Sequence, residues 1–105
     1  MKTIKFNYWN NKEKKMYLQP EGGWDNFPQL LNEGDEYLQF TGLLDKNGKE
    51  IYESDLIIFN SQEKKNRVEW LKDGCWGING HPLGLAASQA EIIGNIYENP
   101  ELLEN

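Results

Sequence analysis

Cys75 and His81 are the single cysteine and the single histidine of the chain. A thiol beside an imidazole is the pattern of a nucleophile and its base, because the imidazole takes the proton and leaves a thiolate. Asp73 stands close to Cys75 in sequence, however, and a neighbouring carboxylate raises a thiol's pKa. Lys72 is the nearby cation. One histidine also excludes a His-based metal cluster. Cys75 is therefore expected to be a strand residue, and His81, ahead of Pro82, a loop residue. Carboxylates come in pairs: Glu53 with Asp55, Asp35 with Glu36, Glu98 with Glu101. General acid–base chemistry needs two carboxylates converging in a cleft with separated pKa values. Spacing alone provides no such convergence, and each pair reads as a solvated surface pair. Asp45, Asn47 and Gly48 share residue types with a calcium loop but lack its ligand spacing and closing glutamate. Residues 74–80 are rich in glycine without the spacing of a phosphate loop. No cofactor or metal is implied, and the expectation is a protein that is not an enzyme.

The aromatic residues are a stronger signal. Four Trp, five Tyr and four Phe in 105 residues are many for a chain of this length. Trp9, Trp24, Phe27 and Tyr37 have the makings of a stacking platform for nucleic-acid bases. The net charge of −6 weighs against that use and against an anionic membrane. Aromatics in excess of a small core are also typical of subunit interfaces. Tyr8, Trp9, Trp24 and Phe27 are the expected partner-interface residues. The charge is unevenly placed: residues 1–20 carry five lysines and one glutamate, and the remainder is acidic. A solvated hairpin surface explains this; so does a basic arm docking on the acidic body of a neighbouring copy.

These residues need elements to hold them. Residues 3–9 alternate Ile4, Phe6 and Tyr8 against Lys5, Asn7 and Trp9, the pattern of a half-buried strand. Residues 10–15 are polar and turn-forming, and Met16 to Gln19 resume as the second strand of a hairpin. Pro20 to Gly23 break the chain. Pro28 opens one helical turn ended by Gly34. Glu36 to Phe40 read as a strand leading into Gln39–Phe59, the stretch around which the rest is arranged. There Asp45-Lys46-Asn47-Gly48 is a turn: Asp and Asn bond their own backbone, and Gly accepts positive φ. Leu56 to Phe59 are too short and too β-branched for a helix. Val68 and Trp70 share one face, Lys72-Asp73-Gly74 make a hairpin turn, and Trp76 and Ile78 return. Trp70 and Trp76 are thus a predicted cross-strand pair. A helical turn is expected over Ala86–Glu91, a closing strand over Ile92–Tyr97, and a short terminal helix after Pro100.

The segments Leu38–Phe59, Val68-Glu69-Trp70, the aromatic–glycine hairpin and Glu91–Leu103, with the opening Ile4–Tyr17, closely resemble the YopX family of phage and prophage proteins of low-GC bacteria. The resemblance covers nearly the whole chain. It implies an α+β, mostly β fold: an N-terminal β-hairpin part over residues 1–40, with an oligomerisation role, and an SH3-like barrel with a C-terminal tail over residues 41–105. It also implies large homo-oligomers, and it brings no established activity and no catalytic residue. The family usually has Glu-Gly-Asp where this chain has Glu53-Ser54-Asp55, so Ser54 is expected at negative φ.

Further expectations follow. Ile57, Phe59, Val68, Trp70, Ile78 and Ile96 should lie inside, with Trp76 largely covered; the family pattern helps to choose Ile57 and Phe59 over Leu56 and Ile58. Leu102 or Leu103 should pack back on the body. A single cysteine fits a reducing cytoplasm. The first ten residues lack the apolar core of a signal peptide, and no stretch is apolar enough to span a membrane. The expected function is a phage-derived cytoplasmic protein that self-assembles and binds a host or phage protein; the alternative is a nucleic-acid-binding SH3-like module.

Overall fold

The computed structural model describes residues 5–18, 33–59, 65–72, 74–78 and 81–103. They form two curled antiparallel sheets. The first contains β1 (Phe6–Asn10), β2 (Lys15–Tyr17), β3 (Glu36–Leu44) and β4 (Glu50–Tyr52), in the order β2-β1-β3-β4. The second contains β5 (Asp55–Phe59), β6 (Asn66–Trp70), β7 (Trp76–Ile78), β8 (His81–Pro82) and β9 (Ala90–Asn95), in the order β8-β7-β6-β5-β9. Two 3-10 turns, Gly84–Gln89 and Pro100–Leu103, are the helical elements among the described residues. The fold is mostly β, as the alternation and turn signals require. No helix among the described residues is long and apolar enough to cross a membrane.

The predicted hairpin is β1–β2, with Tyr8 opposite Tyr17 and Asn10 opposite Lys15. Its turn forms because Asn10 Oδ1 accepts the Glu13 N–H at 2.9 Å, which spares the backbone an unpaired donor. β3 serves both halves of its sheet. Its first half pairs with β1, and its second half pairs with β4 across an irregularity between Phe40 and Leu44. Gly42 sits inside that irregularity at φ +85, a conformation that costs glycine little and lets the strand bend. The β3–β4 connection is the predicted Asp45–Gly48 turn. Asp45 Oδ1 accepts the N–H groups of Asn47 and Lys49, and its Oδ2 accepts Ile92 N–H from β9 at 3.1 Å.

The main core lies between the second sheet and the β3–β4 end of the first: Ile51, Ile57, Val68, Leu83, Ala87 and Ala90 are buried together, with Leu43, Phe59, Trp76, Ile78 and Ile92 packed around them. Trp9, Leu38, Phe40 and Tyr52 of the first sheet are buried outside this cluster, with Trp9 against Tyr97 and Phe40 against Tyr52. Burying these side chains supplies the main drive to fold. The second sheet and the β3–β4 end of the first enclose this core, which is consistent with the SH3-like barrel.

Several expectations change. Trp70 was expected inside but is 56% exposed. It shares a face with Val68, yet it ends β6 at the lip of the sheet, beyond the reach of the core. Its pairing with Trp76 is present, edge to face at 4.9 Å between ring centroids. Leu56 is fully buried along with Ile57, because β5 lies between β6 and β9 with both of its faces covered. Phe59, Ile78 and Ile96 are only half-buried. Ser54 lies at φ +72, not at negative φ. The turn demands the left-handed conformation, and three backbone hydrogen bonds around it hold a non-glycine residue there. Cys75 falls in the bend before β7 rather than in a strand, and His81 falls in the short β8 rather than in a loop. The helical turn predicted for Ala86–Glu91 begins earlier, and Ala90 and Glu91 already belong to β9.

The tail packs back through Leu102, half-buried beside Gly94. A Cβ on Gly94 would run into Asn99 Oδ1 and press on Leu102 Cδ1, so the tail lies directly on that backbone. The helical turn predicted after Pro28 lies outside the described residues.

Candidate functional site

The first sheet has two unlike faces, because successive side chains of a strand point to opposite sides. Asn7 and Trp9 of β1 and Leu38 and Phe40 of β3 point inward. Trp9 is 3% exposed and lies against Tyr97 of the tail, with ring centroids 5.5 Å apart. Phe6 and Tyr8 of β1, Tyr17 of β2 and Tyr37 of β3 share the opposite face and are half-buried. The register brings these outer aromatics together: Tyr8 is opposite Tyr17 on one side and Tyr37 on the other. The Tyr8 ring stacks on Tyr17 at 6.0 Å and lies tilted against Tyr37 at 5.2 Å; Phe6 meets Tyr37 edge-on at 6.3 Å. Such geometries add to the area term of aromatic packing.

Polar tips fix this face. Tyr8 donates its hydroxyl to Asp35 Oδ2 at 2.7 Å, and Asp35 Oδ1 accepts Asn11 N–H at 2.8 Å. The bond to Asp35, helped by burial, pushes the Tyr8 phenol up to about 12. Tyr17 donates to Glu13 at 2.6 Å, which raises its pKa as well. Burial and Asp35 together raise Tyr37. Phenols so raised stay neutral through the physiological range and are poor nucleophiles and bases. What the face holds instead is a packed cluster of amphipathic rings. Lys15 lies over the Tyr17 ring at 4.8 Å, and the exposed Lys12 and Lys14 flank it on the hairpin turn. Leu18, just after β2, is 71% exposed.

Of the expected interface residues, Tyr8 is on this face. Trp9 is not: it is the neighbouring residue on the strand and so lies on the buried face, against Tyr97. Trp24 and Phe27 lie outside the described residues. Tyr37, considered as part of a stacking platform, is brought beside Tyr8 and not beside Trp9. Tyr17 was not among the expected site residues. Period-two alternation together with hairpin register placed it opposite Tyr8, and that signal was available once β1 and β2 were paired.

The acidic pairs do not all behave as surface pairs. Asp35 is buried and holds the hydroxyl of Tyr8. Glu53 and Asp55 sit at the β4–β5 turn, where burial raises both carboxyls, Asp55 to about 7. The reading of these as solvated surface groups is corrected by the turn's position between the sheets. Cys75 is half-buried. Among the described residues, no three His, Cys, Asp or Glu side chains are grouped to hold a metal ion.

The family described as YopX protein matches residues 7–104. The crystal structure of protein EF1440 from Enterococcus faecalis is similar, with a TM-score of 0.72 at 25% identity over 99% of this chain and 100% of that one. Among curated proteins none matches. A match over nearly the full length, together with a solved structure that follows the same fold from end to end, makes the chain a member of the YopX family.

Proposed function

We propose that this protein acts without enzymatic chemistry, through self-assembly and binding to a host or phage protein, and that the outer aromatic face of the first sheet is its contact surface. The observation that carries this reading is the Phe6–Tyr8–Tyr17–Tyr37 cluster: four half-buried aromatics on one rigid sheet face, with lysines at its edge. Tyrosines of this kind give large contact area at low entropic cost, and interfaces are enriched in them. The first 40 residues are then the assembly part and residues 41–105 the barrel that carries it. Membership of the YopX family supports a phage or prophage gene and a cytoplasmic site of action in the host. The acidic charge of the body supports attraction of the Lys12–Lys15 hairpin of another copy.

Light scattering at low and high salt tests the reading. Particles well above monomer mass, reduced in size by salt, are expected. Replacing Lys12, Lys14 and Lys15 by Glu together should shift the protein toward monomer, and Tyr17→Ser should do so without unfolding it. A strict monomer at every salt concentration overturns self-assembly. A monomer that binds single-stranded DNA with a steep salt slope favours the nucleic-acid reading instead.

A further inference from the structure

The β4–β5 turn is where three parts of the molecule meet. Glu53 N–H donates to the Gln39 carbonyl of β3 at 2.9 Å, tying the turn to the first sheet. Ser54 N–H donates to the Val68 carbonyl of β6 at 2.8 Å, tying it to the second. The Ser54 carbonyl accepts Ile96 N–H from the tail at 3.1 Å. Ser54 is buried at this crossing. The next residue, Asp55, turns its carboxyl back into the turn, and its Oδ2 accepts Tyr52 N–H at 2.8 Å.

We propose that this turn is a proton-operated joint between the two sheets and the tail, closed when the carboxyl of Asp55 is protonated and loosened when it ionises.

The surroundings of the carboxyl are what an ionised group avoids. β9 places Asn95 opposite Asp55, and the Asn95 amide donates to Glu98 Oε1 at 2.8 Å, which holds a second carboxylate beside it. From the end of β3 comes Asp45, and from its start Glu36, whose charge acts on Glu53. β4 contributes Tyr52, whose hydroxyl is turned to Glu50, itself paired with Lys5. The tail contributes Tyr97, packed on Trp9. The cation facing the turn is Arg67 of β6, and its charge acts on Glu53 and Tyr97. A carboxylate removed from water and set among like charges is held protonated to higher pH. Burial, then the charges of Asp45 and Glu98, bring Asp55 to about 7, against the single backbone N–H that favours its ionised form.

The folded pKa is thus above the unfolded value of about 4. Whatever protonated Asp55 contributes is fully present below about pH 4 and is lost as pH rises through about 7. The joint therefore loosens across the neutral range without a histidine.

Two measurements on the full chain test this. Carbon NMR titration of Asp55 should show its carboxyl ionising between about pH 6 and 8. Hydrogen exchange at the amides of Glu53, Ser54 and Ile96, corrected for the intrinsic effect of pH, should show opening at least about tenfold more frequent at pH 8 than at pH 5. In Asp55→Asn, which keeps the side-chain acceptor and removes the charge, that difference should vanish. Titration of Asp55 near its ordinary value, or equal corrected opening at the two pH values, overturns the joint. The titration decides the matter in the wild-type chain if the variant fails to fold.

Discussion

Two turns of this protein are built from nearly the same ingredients and behave in opposite ways. The β3–β4 turn holds Asp45 and reaches a left-handed position at Gly48, φ +79; the β4–β5 turn reaches one at Ser54, φ +72, and ends in Asp55. Both aspartates accept backbone N–H groups. Burial would raise the Asp45 carboxyl, but the N–H groups of Ile92, Lys49 and Asn47 and the charge of Lys49 bring it below the ordinary carboxylate range. Asp55 has the Tyr52 N–H alone as its backbone donor and lies near Glu98 and Asp45, so burial dominates. Burial pushes both carboxyls up, and the number of donors and the sign of the neighbouring charges decide whether that push is overcome. One turn has a carboxylate as its permanent cross-link; the other has a carboxyl that gives up its proton near neutrality.

The largest effect is expected from removing the cross-link. Asp45→Ala leaves the N–H groups of Asn47, Lys49 and Ile92 without their charged acceptor and should cost about 2–4 kcal/mol in denaturant melts. The folded pKa of Asp45 is depressed, so its contribution is present above its unfolded value of about 4 and is lost as pH falls through the lower folded one. The wild-type advantage over Asp45→Ala should therefore shrink in acid. Equal losses at neutral and strongly acid pH would contradict the cross-link.

Asp55→Asn should act with the other sign. At pH 8 it removes an ionised group from an unfavourable place and should stabilise by about 1–2 kcal/mol, less than the full shift because solvent still screens a carboxyl that is not fully buried. At pH 5 it should be near neutral. A variant less stable than wild type at pH 8 would break the contrast between the two aspartates.

The two left-handed positions sharpen the comparison at the backbone. A Cβ at Gly48 meets nothing within 4 Å, so Gly48→Ala tests conformation alone and should cost about 1 kcal/mol in thermal melts. Ser54→Gly relieves the same strain and should stabilise by about 0.5 kcal/mol, part of the gain being offset by the greater unfolded-state freedom of glycine. If Ser54→Gly melts lower than wild type, unfolded-state entropy outweighs the strain.

Much of the strand order was legible. The Asp45–Gly48 turn, the β1–β2 hairpin, the Trp70–Trp76 pair and the burial of Val68 all follow from period-two patterning and turn chemistry, which are local, while the burial of Ile57 drew on the family pattern as well. Trp70 was placed on the right face and at the wrong depth, since a strand pattern gives direction and not distance from the centre of a sheet. The candidate surface was half legible. Aromatic abundance and Tyr8 were plain, but the choice between Tyr17 and Trp9 depended on which face of β1 the body covers.

The sequence by itself determined the β class of this protein, its turns and its family. Each rests on interactions between residues a few positions apart, or on residue types in a fixed order. Only the tertiary structure decided that Trp9 is inside and Tyr8 outside, that Ser54 is left-handed, and that Asp45 and Asp55 titrate in opposite directions. Those properties depend on donors and charges that arrive from distant parts of the chain: Ile92 at Asp45, Val68 and Ile96 at Ser54, Glu98 at Asp55. A carboxyl's neighbours in space, not its neighbours in sequence, fix its dielectric surroundings and its hydrogen bonds.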